Sequence, residues 1–332
     1  MRKTKFYWLS LLLCTLALGF TSCEKEEEED DDVSLELPQY SEESALYEIT
    51  EYGSRLKSVE FTGSGDFVII YNTSYNRSGN SMEEQSCKYA GVAVSPWAHA
   101  ATRYGNYVPT IITGKFTKKG DTYILEGFGQ ITVTNDDGSI ASLVIKEDGQ
   151  SSYTLTAAVA EQYEGSERTL NLCRTWNVKK LRLKVSAVGF KFDETTMDGD
   201  LGGLMLAYYR EVLEYAAKEA NKQGENVTQD MIDEALEEIA VELDNPRLVI
   251  KQFLFSQSGT YMVTYGDESL AIATWSWEDK NSNVLNYSWD YGSMESELSG
   301  EAKISFKDNN CIITEEQEMD GVKMTMTYTL EE

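Results

Sequence analysis

The sequence predicts a mainly β protein: an eight-stranded antiparallel barrel in the C-terminal half with an inserted helical hairpin, preceded by a second, smaller β-rich domain. Eight short strand-like runs follow one another in that half, at 174–187, 248–256, 260–266, 270–278, 284–290, 301–307, 310–316 and 321–330. Short strands in unbroken series favour an up-and-down barrel over an open sheet. Between the first two runs, Leu201–Leu243 is helical by composition and ends at Pro246. A hairpin pattern found here also recurs in the N-terminal half.

The elements follow in chain order. Arg2, Lys3 and Lys5 precede an apolar run from Phe6 to Leu18, and Gly19–Ser22 is mostly small. That is the layout of a signal peptide over residues 1–22, and the run is too short for a comfortable membrane span. Ser22-Cys23 meets the need of lipoprotein signal peptidase for a small residue before the acylated cysteine. Cys23 is thus the expected lipid attachment site, carrying palmitate-type acyl chains. Residues 23–40 form an acidic tether that begins Glu24-Lys25-Glu26-Glu27-Glu28-Glu29-Asp30-Asp31-Asp32. Like charges keep it extended, and it could lift the folded part by about 55 Å.

Residues 41–165 form the expected N-terminal β-rich domain. Ser41–Tyr52 reads as a short helix with Leu46 and Ile49 on one side. After it, apolar runs alternate with turns at Gly63-Ser64-Gly65, Lys119-Gly120, Asn135-Asp136-Asp137-Gly138 and Asp148-Gly149. The polar stretch around Glu164-Gly165-Ser166-Glu167 marks the boundary, and the barrel domain spans 172–332.

Within the barrel domain, the phase of the first run slips at Lys179-Lys180, which predicts a bulge. The last run places Val322, Met324, Met326, Tyr328 and Leu330 on one face, and Lys323, Thr325, Thr327 and Thr329 on the other. In the insertion 201–243, Gly224-Glu225-Asn226 is the turn and Thr228 a candidate N-cap, while Ile232, Leu236, Ile239 and Leu243 form one stripe. That stripe covers either the barrel mouth, as core, or a ligand cavity, as a lid.

Self-comparison aligns residues 59–71 with 253–265 without a gap. Apolar positions, the Ser-Gly turn and the closing tyrosine (Tyr71, Tyr265) coincide, so the two halves read as related β domains in tandem.

Leu172-Cys173-Arg174-Thr175-Trp176-Asn177-Val178, Phe255-Ser256-Gln257-Ser258-Gly259-Thr260-Tyr261 and Ala273-Thr274-Trp275-Ser276-Trp277-Glu278 together resemble the lipocalin-like domains of Bacteroidetes lipoproteins. The resemblance implies a lipocalin-like barrel, with Trp176 as the tryptophan of the first strand packing across the barrel floor. Arg174 stands where the family usually has glycine, and no arginine follows Arg247 to cover that tryptophan. The acidic block behind Cys23 resembles the surface-export signal of lipoproteins from that phylum. This implies lipid anchoring in the outer membrane, facing outward.

Composition narrows function. A net charge of −27 repels nucleic acid and anionic head groups. Of five cysteines, Cys14 belongs to the leader and Cys23 to the anchor, so Cys87, Cys173 and Cys311 permit at most one bridge, with Cys173–Cys311 the pair expected. The single histidine, His99, has Cys87 nearby in sequence but no nucleophile signature, and one His with three scattered Cys does not make a zinc site. Nothing marks a glycosidase pair among 56 acidic residues. Asp193-Glu194 and Asp198-Gly199-Asp200 read as a solvated loop lacking the EF-hand order. Trp275 with Trp277, and Tyr287 with Trp289, share strand faces that build core or line a cavity.

The expected function is therefore non-enzymatic, without cofactor or metal: an outer-membrane, lipid-anchored protein binding a small apolar or glycan ligand, or a partner protein of the envelope. The alternative is a structural or assembly component of the envelope whose barrel is filled by its own side chains.

Overall fold

The computed structural model describes residues 44–72, 111–134, 138–162, 165–279, 282–288, 299–319 and 321–332. The leader, Cys23, the tether, the turn residues Asn135–Asp137, Glu164, Cys87, His99 and Trp289 lie outside the described residues. Both halves are closed antiparallel barrels of eight strands. The first consists of β1 Ala45–Ile49, β2 Leu56–Phe61, β3 Asp66–Tyr71, β4 Ile111–Lys119, β5 Thr122–Leu125, β6 Gly129–Thr134, β7 Ile140–Glu147 and β8 Tyr153–Val159. Each strand lies beside its sequence neighbour, and β1 on β8 closes the ring.

The helix expected over Ser41–Tyr52 is replaced by β1. Leu46 and Ile49 have helical spacing, yet Tyr47 is the buried residue, opposite Val59 on one side and Val159 on the other. Without β1, the edges of β2 and β8 would lie open. Ladder closure outweighs the weak helical tendency of so short a stretch. The core is aromatic at its centre, where Phe61 stacks on Tyr123 at 3.7 Å and meets Phe116 edge-on at 5.2 Å.

The second barrel contains β9 Thr175–Ala187, β10 Phe190–Met197, β11 Ile250–Phe255, β12 Thr260–Tyr265, β13 Leu270–Trp277, β14 Val284–Ser288, β15 Ser299–Lys307, β16 Asn310–Met319 and β17 Val322–Glu331. The ring runs β9-β11-β12-β13-β14-β15-β16-β17 and closes through β17 on β9. β10 is an extra strand. β9 is longer than β11 can cover, so Thr175–Asn177 pair with β11 and Lys180–Ala187 pair with β10. On its other edge, the register against β17 slips between Thr329 and Leu330, opposite Lys180 and Val178. This is the bulge expected at Lys179-Lys180.

Asp193 and Glu194 thus lie on a strand rather than in a loop. Arg182 holds Asp193 through two bonds of 2.7 Å, and Asp200 accepts the Gly203 amide at 2.8 Å as a helix cap.

A short helix, α1 Glu167–Leu172, leads into β9, and the insertion forms α2 Leu201–Lys222 and α3 Gln229–Leu243. Tyr208 and Tyr215 of α2 meet Phe190 of β10 edge-on at 6.3 and 5.4 Å, and Leu201, Leu204 and Met205 join the barrel core. On α3, Ile232 and Leu236 pack on Leu206, Tyr209, Leu213 and Ala217 of α2, and Leu243 returns to the barrel. The stripe therefore holds the hairpin together, and α2 fills the space beneath it. Thr228 stands at the N-cap without a side-chain cap bond. Asn221 braces the turn instead, donating to Val227 O at 3.0 Å and accepting from Val227 N at 2.8 Å.

The repeated hairpin occupies the second and third strands of each ring. Val59 faces Ile69 as Phe253 faces Val263, and Phe61 faces Phe67 as Phe255 faces Tyr261. Both hairpins slip register at the same place, between Leu56 and Ser58 and between Ile250 and Gln252. Their turns match too: Thr62 and Ser256 each accept, through the side-chain oxygen, the amide of the residue four positions on, both at 3.0 Å.

The barrels meet through the outer faces of these equivalent hairpins and the strands beside them. Val68, Ile70 and Ile111 pack on Leu254, Met262 and Ile272 as one apolar cluster. Glu60, whose counterpart in the second barrel is Leu254, is buried at 2% exposure. Burial pushes its pKa up, against hydrogen bonding from Ser256, Thr260 and Ser258, and its Oε1 has no hydrogen-bond partner.

Candidate binding site

Three features at the floor of the second barrel answer the sequence expectations. Trp176 is fully buried, and its indole N–H donates to Leu172 O at 2.9 Å, which ties β9 to α1. Its cover is Arg174, whose guanidinium lies 4.9 Å from the ring centre. The covering arginine is the residue in the glycine position: the backbone leading into β9 bonds Phe255 N through Arg174 O, and a spacing of two returns the long side chain over the ring. The expected Cys173–Cys311 bridge is absent. Both cysteines are buried and neither is in a disulfide, and burial pushes both thiol pKa values up.

The aromatic pair Trp275 and Trp277 belongs to the packing. Trp275 is buried and donates to Ser256 O at 3.0 Å. Trp277 donates to Thr169 Oγ1 at 3.0 Å under the Arg168 guanidinium, 3.9 Å from its ring. Phe253, Phe255 and Tyr261 stack parallel within the barrel, at 4.7–6.5 Å between centres. Side chains occupy this interior as they do the first.

The wall, however, is split. The β15–β16 ladder runs from Lys307–Asn310 to Lys303–Thr314 and stops. Beyond it, among the described residues, 299–302 pair only with β14, and 315–319 pair only with β17. A cleft of about 450 Å³ lies in this seam, lined by Asn286, Tyr287, Ser299, Gly300 and Glu301 on one side and by Glu315, Glu316 and Gln317 on the other. Gly300 makes room for Tyr287: a Cβ there would lie 2.2 Å from the Tyr287 hydroxyl oxygen.

Glu315 is 5% exposed and points inward with Cys311 and Ile313. The Tyr328 hydroxyl donates to its Oε2 at 3.5 Å, while Oε1 has no hydrogen-bond partner. Burial pushes its pKa well above the ordinary carboxylate value, and hydrogen bonds from Tyr287 and Tyr328 offset part of that. The same carboxylate, after burial, pushes the Tyr287 pKa up.

The first barrel also buries a glutamate on its seventh strand, and there the chain supplies every partner. Glu147 accepts the Tyr153 hydroxyl at 2.7 Å and Gln150 Nε2 at 3.2 Å, and Arg55 Nη1 stands 3.4 Å from Oε1. Burial and then Glu147 push the Tyr71 pKa up to about 12. Among the described residues no lysine or arginine pairs with Glu315, and the position matching Arg55 in the aligned hairpins is Val249.

Sequence reasoning passed over Glu315. Its signal was a glutamate in phase with the apolar side of a strand, Cys311, Ile313, Glu315, as Glu147 follows Leu143 and Ile145. Among the described residues, no group of three or more His, Cys, Asp and Glu side chains is placed to hold a metal ion.

No family model matches the chain, and no curated protein matches it. Among solved structures, it is similar to a double mutant of the vaccine antigen transferrin binding protein B from Haemophilus parasuis Hp5, at 8% identity and a TM-score of 0.22. That match covers 83% of this chain and 53% of the other. Intact Ap-TbpB, with N and C lobes, matches at 7% identity and a TM-score of 0.21, over 83% of this chain and 54% of that one. The chain thus spans about half the length of these two proteins. Likeness at this level carries neither fold nor function across.

Proposed function

We propose that the protein is a lipid-anchored protein of the outer cell surface, tethered through Cys23, that binds a partner protein without catalysis. The observation that carries this reading is the seam in the second barrel. Two strand edges without ladder partners among the described residues face each other there over a buried carboxylate. Open edges are where extended segments of other proteins add to a sheet. The filled interiors favour recognition at the barrel wall over a small apolar ligand held inside.

Two measurements test the reading. Cys23→Ala should abolish incorporation of labelled palmitate and release the protein from membranes; retention of both would remove the anchor. A photo-crosslinking side chain placed at Asn286 on intact cells should trap a protein that the same group placed at Ile124, exposed on the first barrel, does not. Equal trapping at both positions, or none at Asn286, would overturn partner binding at the seam.

A further inference from the structure

We infer that the seam between β15 and β16 receives an extended segment of the partner protein that presents a lysine or arginine to Glu315. The inference deepens the partner-binding reading above and rests on it.

The open edges account for an extended segment. Ser299–Ala302 and Glu315–Glu318 run opposite each other past the last ladder pair, Lys303–Thr314, and among the described residues neither has a strand partner on the seam side. A cleft of about 450 Å³ lies within the range that binding sites for small groups occupy. A strand laid along either edge gains main-chain bonds and turns alternate side chains into the cleft.

Glu315 accounts for the basic residue. The Tyr328 hydroxyl donates to its Oε2 and the Tyr287 hydroxyl also bonds the carboxylate, while among the described residues Oε1 has no hydrogen-bond partner. A buried acceptor without a partner costs free energy, which an incoming N–H donor recovers. The rest of the lining adds Glu301 and Glu316 but no lysine or arginine. Tyr287 lines the same cleft, and its hydroxyl bonds the Glu315 carboxylate. The first barrel shows the finished arrangement within the same chain, where Arg55 stands beside buried Glu147 and Tyr71. In the second barrel the carboxylate and tyrosines remain, and among the described residues no lysine or arginine stands beside them. A net charge of −27 further draws a basic segment toward the protein.

Tyr261 of β12, Tyr287 of β14 and Tyr328 of β17 surround Glu315, with Glu301 of β15 and Glu316 of β16 at the rim. None of these is cationic, and only the hydroxyls of Tyr287 and Tyr328 work against the effect of burial on Glu315. Binding a cation requires the carboxylate form, and the affinity should therefore rise with pH until the free protein has lost that proton.

The test uses the intact protein in detergent and a fluorescent nine-residue peptide alternating valine and threonine around one central arginine. The control peptide replaces arginine with citrulline, which has the same shape and no charge. The arginine peptide should bind about tenfold or more tightly than the citrulline peptide, and more tightly at pH 8 than at pH 6. Glu315→Gln should remove both the charge preference and the pH dependence, while Glu316→Gln at the rim should keep both. Equal affinity for the two peptides, or no binding of either, overturns the inference without requiring any variant to fold. N-acetylarginine amide binding as tightly as the peptide would show a site for free cations and overturn the strand component. If crosslinking from Asn286 still traps a protein while both peptides fail, partner binding stands and the basic segment falls.

Discussion

Replacing Glu60 with glutamine should make the protein more stable at neutral pH and leave it nearly unchanged near pH 4. Glu60 is buried between the barrels, and its Oε1 has no hydrogen-bond partner. Burial raises its folded pKa above the unfolded value, so the folded state holds the proton more strongly. Its contribution is then fully present below the unfolded carboxylate pKa, near 4.3, and is lost as pH rises toward the folded pKa. The loss runs at about 1 kcal/mol per pH unit within that window. Glutamine keeps the shape and cannot ionise, so Glu60→Gln removes this slope while the similar slope from Glu315 remains. Thermal unfolding of both proteins at pH 4, 5, 6 and 7 reads the difference, at about 1.5 °C per kcal/mol for a chain of 332 residues. The gap should open steadily with pH in favour of the variant. A gap that is constant across the series, or one that favours the wild type at pH 7, would refute Glu60 as a buried acid held neutral at the barrel interface.

Three further outcomes follow from the packing. Gly300→Ala places a Cβ 2.2 Å from the Tyr287 hydroxyl and should cost about 1–3 kcal/mol of stability in denaturant unfolding, with loss of any binding at the seam. Trp176→Ala removes a fully buried indole, its bond to Leu172 and the ring beneath Arg174, and should cost about 3–5 kcal/mol by the same measurement. Cys173 and Cys311 should resist iodoacetamide at pH 8 in the folded protein and both react once it is unfolded without reductant; a 173–311 disulfide peptide in the non-reduced digest would contradict the absence of that bridge.

Legibility followed how local each signal was. The alternation of β17, the bulge at Lys179-Lys180 and the helical insertion with its turn at Gly224 could be read directly, because period and turn chemistry are properties of neighbouring residues. The repeated hairpin was legible for the same reason, down to the serine-glycine turn. β1 and β10 were not. Ala45–Ile49 is a strand because β2 and β8 need a neighbour, and Phe190–Met197 is one because β9 outruns β11. The cover of Trp176 was not legible either, because Arg174 lies two residues before the ring rather than late in the chain.

From sequence alone came the β class, the second barrel with its helical insertion, the duplicated hairpin and a case for a lipid anchor at Cys23. Each of these rests on period, turn chemistry or motif within short stretches, or on the likeness of two such stretches. The tertiary structure decided that the first half also closes into a barrel, that equivalent hairpins pack face to face around Glu60, and that the wall between β15 and β16 parts beside Glu315. Closure, packing of outer faces and the end of a ladder are set by which distant strands lie side by side, and a glutamate in an apolar phase gains its meaning only when those neighbours leave it without a cation.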